Sequence, residues 1–279
     1  PLAMGVVAEQ YLKDSTHLQR LNRTSTGTFY KTDTNRIVFF TKDYFQGPLN
    51  IISDISSNLS FEEGSLFPTI INQSNSKIID YTHSRRYTTP KFVFPVENHG
   101  LENKINISLM NMKSSPFIPF LNQQMNNSIP NNLNHESQRA IRIYQKFNQF
   151  EDATEDMIDA LGLGAGLTPN FDDFIIGLLF IKANSIGNKN THLLPFDKNK
   201  IVESAFNKTN LVSACLIEAA SVGEVDLRLA KLLEFLLSPK EFRNSEKIIA
   251  EAFAWGNSSG EDFFAGMAAG LTLLASKSV

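Results

Sequence analysis

The sequence is poor in cysteine, in net charge and in long apolar runs, and each shortage excludes a class of protein. A single cysteine, Cys215, rules out an internal disulfide. Its setting in Leu211-Val212-Ser213-Ala214-Cys215-Leu216-Ile217 reads as a reduced thiol in an apolar core, because no histidine lies nearby in sequence to activate it. Lys and Arg number 26 against 29 Asp and Glu, for a net charge of -3 and a pI near 6.0. That balance provides no broad basic field, which argues against nucleic acid or an anionic membrane as the main partner, while a small anionic ligand needs only a local site. No apolar run reaches the ~20 residues needed to span a bilayer, and no secretory signal is recognisable, so the expected location is the cytoplasm. The histidines His17, His83, His99, His135 and His192 show no metal-ligand spacing; none is assigned to catalysis and no metal site is expected from them. Pro1-Leu2-Ala3-Met4 reads as an artificial remnant ahead of the native start and is set aside from the fold reasoning.

At 279 residues the chain is long enough for one large domain or two modest ones, and a change of pattern favours two. Short β-branched or aromatic segments separated by turn residues predict strands at Thr28 to Lys31, Arg36 to Thr41, Leu49 to Ser53, Leu66 to Ile71, Lys77 to Tyr81 and Lys91 to Phe94. Thr32-Asp33-Thr34-Asn35 reads as a hairpin turn, and Gln46-Gly47-Pro48 opens a strand where proline is tolerated. Residues 101–135, rich in Asn, Ser and Pro, predict an irregular connection. Beyond it the period becomes helical: Ala140, Ile143, Tyr144 and Phe147, then Met157, Ile158 and Leu161. Further helices are predicted at Asp172 to Ser185, Lys200 to Phe206, Leu211 to Val222, Asp226 to Leu237, Glu241 to Trp255 and Glu261 to Ser276. The fold class is therefore α+β: a small, barrel-like β domain over 5–100, a connection over 101–135, and a helical bundle over 136–279.

The chemistry concentrates in one segment. Gly162, Gly164 and Gly166 alternate, which frees the backbone for left-handed angles and close approach. Pro169 then sets a helix start, and Asp172 and Asp173 fall in the first turn, where carboxylates suit free amides and the helix dipole. Phe174, Ile175, Leu178, Leu179 and Ile181 are apolar on nearly every face, so this helix is central. A lone glycine string lacking the Lys-Ser/Thr of a P-loop is weak evidence. Its echo strengthens it: Asn257-Ser258-Ser259-Gly260-Glu261-Asp262-Phe263-Phe264-Ala265-Gly266 aligns without a gap on Thr168-Pro169-Asn170-Phe171-Asp172-Asp173-Phe174-Ile175-Ile176-Gly177. Asp173 matches Asp262, Phe174 matches Phe263 and Gly177 matches Gly266, with Gly266 and Gly270 spaced for close helix contact.

The plain structural account is that both copies are helix-entry motifs, capping first turns and permitting tight packing. The functional account is a shared polar pocket where the two turns meet, binding an anion through amides and dipole, a cation through the carboxylates, or an amine oriented by a carboxylate. Adjacent helical residues diverge by about 100°, so Asp172 and Asp173 face different partners. The repeat pairs Asp173 with Asp262. Thr209 and Ser213, four apart, share a helix face; Thr209 reads as an N-cap, and Ser213 either bonds its own preceding turn or lines the pocket beside Thr168. Arg85-Arg86 beside Tyr87 is a local basic spot, read as exposed.

Gly164-Ala165-Gly166-Leu167-Thr168-Pro169, followed by Asp172-Asp173-Phe174 and Gly177, resembles a bacterial family that includes a subunit of oxamate carbamoyltransferase, the AllH type. Thr209, Ser213, Ala220, Gly223, Ser259-Gly260, Asp262 and Gly266 extend the resemblance, and more faintly Gly47-Pro48. The chain departs from it at Asn170-Phe171, where the family usually has Ser-Gly. The resemblance implies carbamoyl transfer between carbamoyl phosphate and oxamate or oxalurate in allantoin breakdown, in concert with other enzyme subunits. For such a reaction the candidate catalytic groups are Asp173, Asp172 and Thr168. The candidate substrate-binding groups are Gly164, Gly166, Leu167, Asn170, Thr209, Ser213, Ser259, Gly260 and Asp262. Two alternatives stand beside this reading: a non-catalytic subunit that binds a metabolite or a partner chain, and a phosphoryl site in which Mg²⁺ is held by the carboxylates.

Overall fold

The computed structural model describes residues 3–42, 46–53, 66–68, 84–94, 100–126, 133–185, 188, 190–239 and 244–275. They fall into two compact units, Pro1–Thr89 with Glu224–Leu227, and Pro90–Gly223 with Arg228–Val279. The first is rich in strands and the second is helical, the α+β plan expected from the change of sequence period.

In the first unit, strands β1 (Ala3–Gly5), β2 (His17–Arg23), β3 (Gly27–Thr32), β4 (Ile37–Thr41), β5 (Asn50–Ile52), β6 (Leu66–Pro68) and β7 (Arg85–Tyr87) accompany helix α1 (Val6–Lys13). They form a seven-stranded sheet in the order β6-β2-β3-β4-β5-β1-β7. Strands β2, β3 and β4 are an antiparallel meander, and its second turn is the expected one: Asn35 takes φ 59° and its amide donates to the Thr32 carbonyl at 3.1 Å. Asparagine is the ordinary choice for such a left-handed position. Strand β5 joins β4 in parallel, β1 pairs antiparallel with β5, and β7 runs parallel to β1.

Several expectations need correction here. Among the described residues β6 and β7 end the sheet, so it is open and not a closed barrel. Ala3 and Met4, set aside as an artificial remnant, are buried in β1 between β5 and β7 and belong to the fold. Residues 91–94 form no strand, and 77–81 lie outside the described residues. The basic pair Arg85-Arg86 is exposed, as expected, and Arg86 forks onto the Glu9 carboxylate at 3.0 and 2.9 Å. The Tyr87 hydroxyl is buried and donates to the Val225 carbonyl at 2.8 Å. Glu224 accepts from the Thr88 hydroxyl at 2.6 Å and the Thr89 amide at 2.8 Å, and these bonds hold 224–227 within the sheet unit.

The second unit contains α2 (Leu101–Met110), α3 (Ile118–Asn126), α4 (His135–Asn148), α5 (Thr154–Ile158), α6 (Asn170–Asn184), α7 (Lys198–Lys208), α8 (Leu211–Ser221), most of α9 (Leu227–Leu237), α10 (Ser245–Phe253) and α11 (Ser259–Ala275). Where an irregular connection was expected, α2 and α3 are helical, and the buried set Leu101, Ile105, Ser108 and Leu109 gives α2 its inner face. No described helix is long and apolar enough to cross a membrane.

Helices α6 and α11 form the centre. Every residue from Asn170 to Ile181 and from Gly260 to Leu271 is buried, which explains why neither sequence shows a polar stripe. The two helices cross at the glycines that the repeat aligns. A methyl group on Gly177 would overlap the Phe263 carbonyl, and one on Gly266 would overlap the Phe174 carbonyl, so each glycine receives the backbone of the other helix. Gly177→Ala or Gly266→Ala must push the helices apart. Because backbone atoms and not flexible side chains stand in the way, each is expected to lower unfolding stability by at least the ~1–3 kcal/mol typical of overpacking, read as a fall in the urea midpoint. A midpoint unchanged by both substitutions would overturn this account of the crossing.

Candidate functional site

The crossing carries the two entry turns toward each other. The glycine loop enters α6 with φ values of +78°, +111° and +108° at Gly162, Gly164 and Gly166, angles at which a side chain is strained. Gly164 also lies so close to Asn170 that a methyl group there would meet the Asn170 side chain and amide. The Phe171 amide donates to the Leu163 carbonyl at 3.0 Å, and three bonds to side chains pin the loop further. The Gly162 amide donates to Asp172 Oδ1 at 2.8 Å, the Ala165 amide to Asn170 Oδ1 at 2.9 Å, and Asn210 Nδ2 to the Leu167 carbonyl at 2.9 Å. Among the described residues the amides of Gly164, Gly166 and Leu167 meet no acceptor, and residues 164–167 are exposed.

The carboxylates divide their tasks. Asp172 accepts from Gly162 through Oδ1 and from the Thr209 hydroxyl through Oδ2, so it ties the loop to the segment that leads into α8. Burial raises its pKa, with the Gly162 amide and the Thr209 and Ser213 hydroxyls pulling the other way. Asp173 is fully enclosed. Its Oδ2 accepts from the Thr168 hydroxyl at 2.9 Å, while Oδ1 has no hydrogen-bond partner. Burial pushes the Asp173 carboxyl well above the ordinary range; the Ser259 and Thr168 hydroxyls oppose this, and the charges of Asp262 and Asp172 add to it. Asp262 accepts from Ser115 Oγ at 2.5 Å through Oδ1 and from Asn170 Nδ2 at 2.7 Å through Oδ2. Burial lifts its pKa from 3.8 to about 6, against the pull of Ser115, Asn170 and Ser258.

The two turns therefore do meet. Thr168 Oγ1 and Ser259 Oγ are 2.9 Å apart, and Asn170 Nδ2 donates to Ser258 Oγ at 3.0 Å as well as to Asp262. Most of their polar atoms are engaged with one another, however, and do not line an open pocket. Asn170, Asp172 and Asp262 have both polar side-chain atoms bonded. Gly260 lies buried against the Ala252 carbonyl, and its amide donates to the Trp255 carbonyl. Thr209 is not the N-cap expected: Asn210 caps α8, accepting from the Ser213 amide at 3.0 Å, as asparagine does best. Ser213 is fully buried, with Asn210 Nδ2 at 3.3 Å from its hydroxyl. What remains facing outward is the exposed run 164–167 and Asn257, with Thr168, Thr209, Ser258 and Ser259 half-buried.

Two participants escaped the sequence reading. Glu261, equivalent to Asp172 in the repeat, accepts the amides of Lys113, Ser114 and Ser115 at 2.8–3.0 Å. Ser115 then bonds Asp262. Both lie beyond the reach of local spacing, because their partners are more than 140 residues away. Asn210 was legible, being a strong capping type three residues ahead of Ser213.

No lysine, arginine or histidine pairs with these carboxylates among the described residues, and no group of three metal-ligating side chains converges. A cleft of about 230 Å³ lined by His135, Gln138, Arg139, Arg142 and Asp156 involves none of the turn residues. There Arg142 and Lys146 both pair with Asp156, at 2.8 and 2.5 Å.

The helical unit thus carries a pinned glycine loop set on a pair of crossed, buried helices. A family model described as oxamate carbamoyltransferase subunit AllH matches residues 160–271, from just before the loop through most of α11, and supports the family resemblance seen in the sequence. No solved structure matches the chain.

The raised pKa of Asp262 has a signed consequence. Its folded value lies above its unfolded one, so its contribution to stability is fully present below 3.8 and is lost as pH rises to about 6. Asp262→Asn turns one of the two acceptors that serve Ser115 and Asn170 into a donor, and is expected to destabilise the fold. Its deficit relative to the parent should narrow as pH rises through that window, by on the order of 3 kcal/mol at full extent. Chemical denaturation at a series of pH values measures this, and a deficit that stays constant or widens would contradict it.

Proposed function

We propose that the chain is a subunit of a carbamoyltransferase-type enzyme acting on carbamoyl phosphate and oxamate or oxalurate, and that the glycine loop ahead of α6 receives the small anionic ligand. The family match supports the subunit assignment. One observation carries the ligand reading: the loop is pinned at Gly162, Ala165 and Leu167, yet the amides of Gly164, Gly166 and Leu167 stay open on an exposed surface. Donors fixed in advance suit a phosphate or a developing oxyanion, because no reorganisation is needed when charge appears.

Thr168 is the polar side chain of this loop that can reach a ligand. It is half-buried, and its hydroxyl donates to Asp173. Asp173, enclosed beneath it, orients that hydroxyl so that its oxygen lone pairs can accept from the amide nitrogen of oxamate. In this reading Asp172, Asn170, Thr209, Ser213, Gly260 and Asp262, first taken as substrate contacts or catalytic groups, shape the loop from behind. Ser259 sets the far side of the Thr168 hydroxyl.

The absence of a paired lysine, arginine or histidine among the described residues favours a second element: the cation that carbamoyl phosphate calls for comes from another subunit. Transfer then requires the assembled enzyme, while this chain binds one substrate and positions it. The donor set fits Mg²⁺ poorly, since both oxygens of Asp172 and of Asp262 are already engaged.

Thermal denaturation of the purified chain tests the proposal. Carbamoyl phosphate or oxamate should raise the melting temperature where Mg²⁺ alone does not. Thr168→Val, which removes the hydroxyl that Asp173 orients, should abolish that rise without unfolding the protein, whereas loss of a mere cap would cost about 1 kcal/mol and leave binding intact. No rise with either compound, alone or with the partner subunits present, would dismiss the loop as their site.

A further inference from the structure

The segment 113–117, which joins α2 to α3, is tied to the glycine loop by an unbroken run of hydrogen bonds. Glu261, only 6% exposed, gathers the amides of Lys113, Ser114 and Ser115 on its carboxylate. Ser115 Oγ, fixed further by the Phe117 amide at 3.1 Å, donates to Asp262 Oδ1 at 2.5 Å. Asp262 Oδ2 accepts from Asn170 Nδ2 at 2.7 Å, and Asn170 Oδ1 accepts from the Ala165 amide at 2.9 Å. Phe117 also stacks on Phe174 with ring centroids 4.7 Å apart and meets Phe171 edge-on at 5.4 Å, so the segment is seated on the first turns of α6.

Direction is enforced along this run. The Ala165 amide can only donate, which obliges Asn170 to present its oxygen to the loop and its NH₂ to Asp262. With one Asp262 oxygen held by Ser115, the other is aimed at that NH₂. Removing the Ser115 donor takes away the bond at Asp262 Oδ1 and leaves Asn170 and the Ser258 hydroxyl to hold the carboxylate, which is then free to turn toward Asn170.

We propose that Ser115, held by Glu261, is a positioning residue of the site: acting through Asp262 and Asn170, it sets the position of the Ala165 amide and so the shape in which the glycine loop presents its open amides. This deepens the function proposed above and rests on it only where ligand affinity is concerned.

The test uses the full-length chain. The amide ¹H–¹⁵N signal of Ala165, some 50 residues from the substitution in sequence, should move in Ser115→Ala together with those of Phe117, Asn170 and Asp262 along the run, while signals away from it stay close to the parent. In an Asn170→Ala background the same substitution should no longer move the Ala165 signal, because the run is already cut. Ser115→Cys, of nearly the same size but a weak donor, serves if the alanine variant does not fold. An Ala165 signal unmoved by Ser115→Ala or Ser115→Cys overturns the proposal, as does a movement that persists undiminished in the Asn170→Ala background. Carbamoyl phosphate affinity, measured by calorimetry, should weaken roughly three- to tenfold in Ser115→Ala, the loss that accompanies one missing hydrogen bond. A parent chain that binds no carbamoyl phosphate while its Ala165 signal still answers to Ser115 removes the ligand reading and leaves the positioning role intact.

Discussion

The site depends on a contact between two backbones. Gly177 and Gly266 let α6 and α11 approach until each glycine touches the other helix's carbonyl, and only at that separation do the entry turns come within hydrogen-bond reach. The exchange between them is reciprocal. Asn170 and Ser259 occupy equivalent positions of the repeat; Asn170 donates to Asp262, and Ser259 Oγ lies 2.9 Å from the Thr168 hydroxyl that donates to Asp173. Each turn thus supports the other's aspartate, Asn170 directly and Ser259 by way of Thr168, and the carboxylates at both helix starts are buried by the packing that the glycines permit.

Equivalent residues also share a chemical task at different range. Asp172 and Glu261 align, and each carboxylate takes amides of a preceding loop: Asp172 that of Gly162, ten residues back, and Glu261 those of Lys113 to Ser115. The longer glutamate serves the more remote loop. A carboxylate at a helix start stabilises whatever donors are brought to it, so the duplicated turn organises two different loops, one rich in glycine and the other seated on Phe171 and Phe174.

Much of this was legible in the sequence because it rests on spacing. The gapless alignment of the two turns placed Asp173 with Asp262 and Gly177 with Gly266, and the all-round apolar pattern after Asp173 marked a central helix. What stayed hidden rests on partners far apart in the chain. The cap of α8 was placed on Thr209, one residue early, because Thr209 instead serves Asp172. Helix α2 was missed because Asn and Ser dilute its apolar period, although Leu101, Ile105 and Leu109 keep the four-residue step. Strand β1 was set aside, yet it pairs with β5 and β7; three residues give too short a window for any period to be read.

Capping explains the turns up to a single atom. Asp172, Asp262 and Glu261 have acceptors filled by donors, as a purely structural device requires. Asp173 Oδ1 does not. A buried polar atom without a partner costs about 1–3 kcal/mol, and the neighbouring charges of Asp262 and Asp172 add to the burden on its ionised form. An asparagine would avoid that charge, and an apolar residue would avoid the unmet acceptor. A carboxyl that weakens the fold is consistent with a task other than stability. Its other oxygen holds Thr168, which sits between the enclosed aspartate and the exposed amides of the loop, so the departure from pure capping coincides with the point where the turn faces outward.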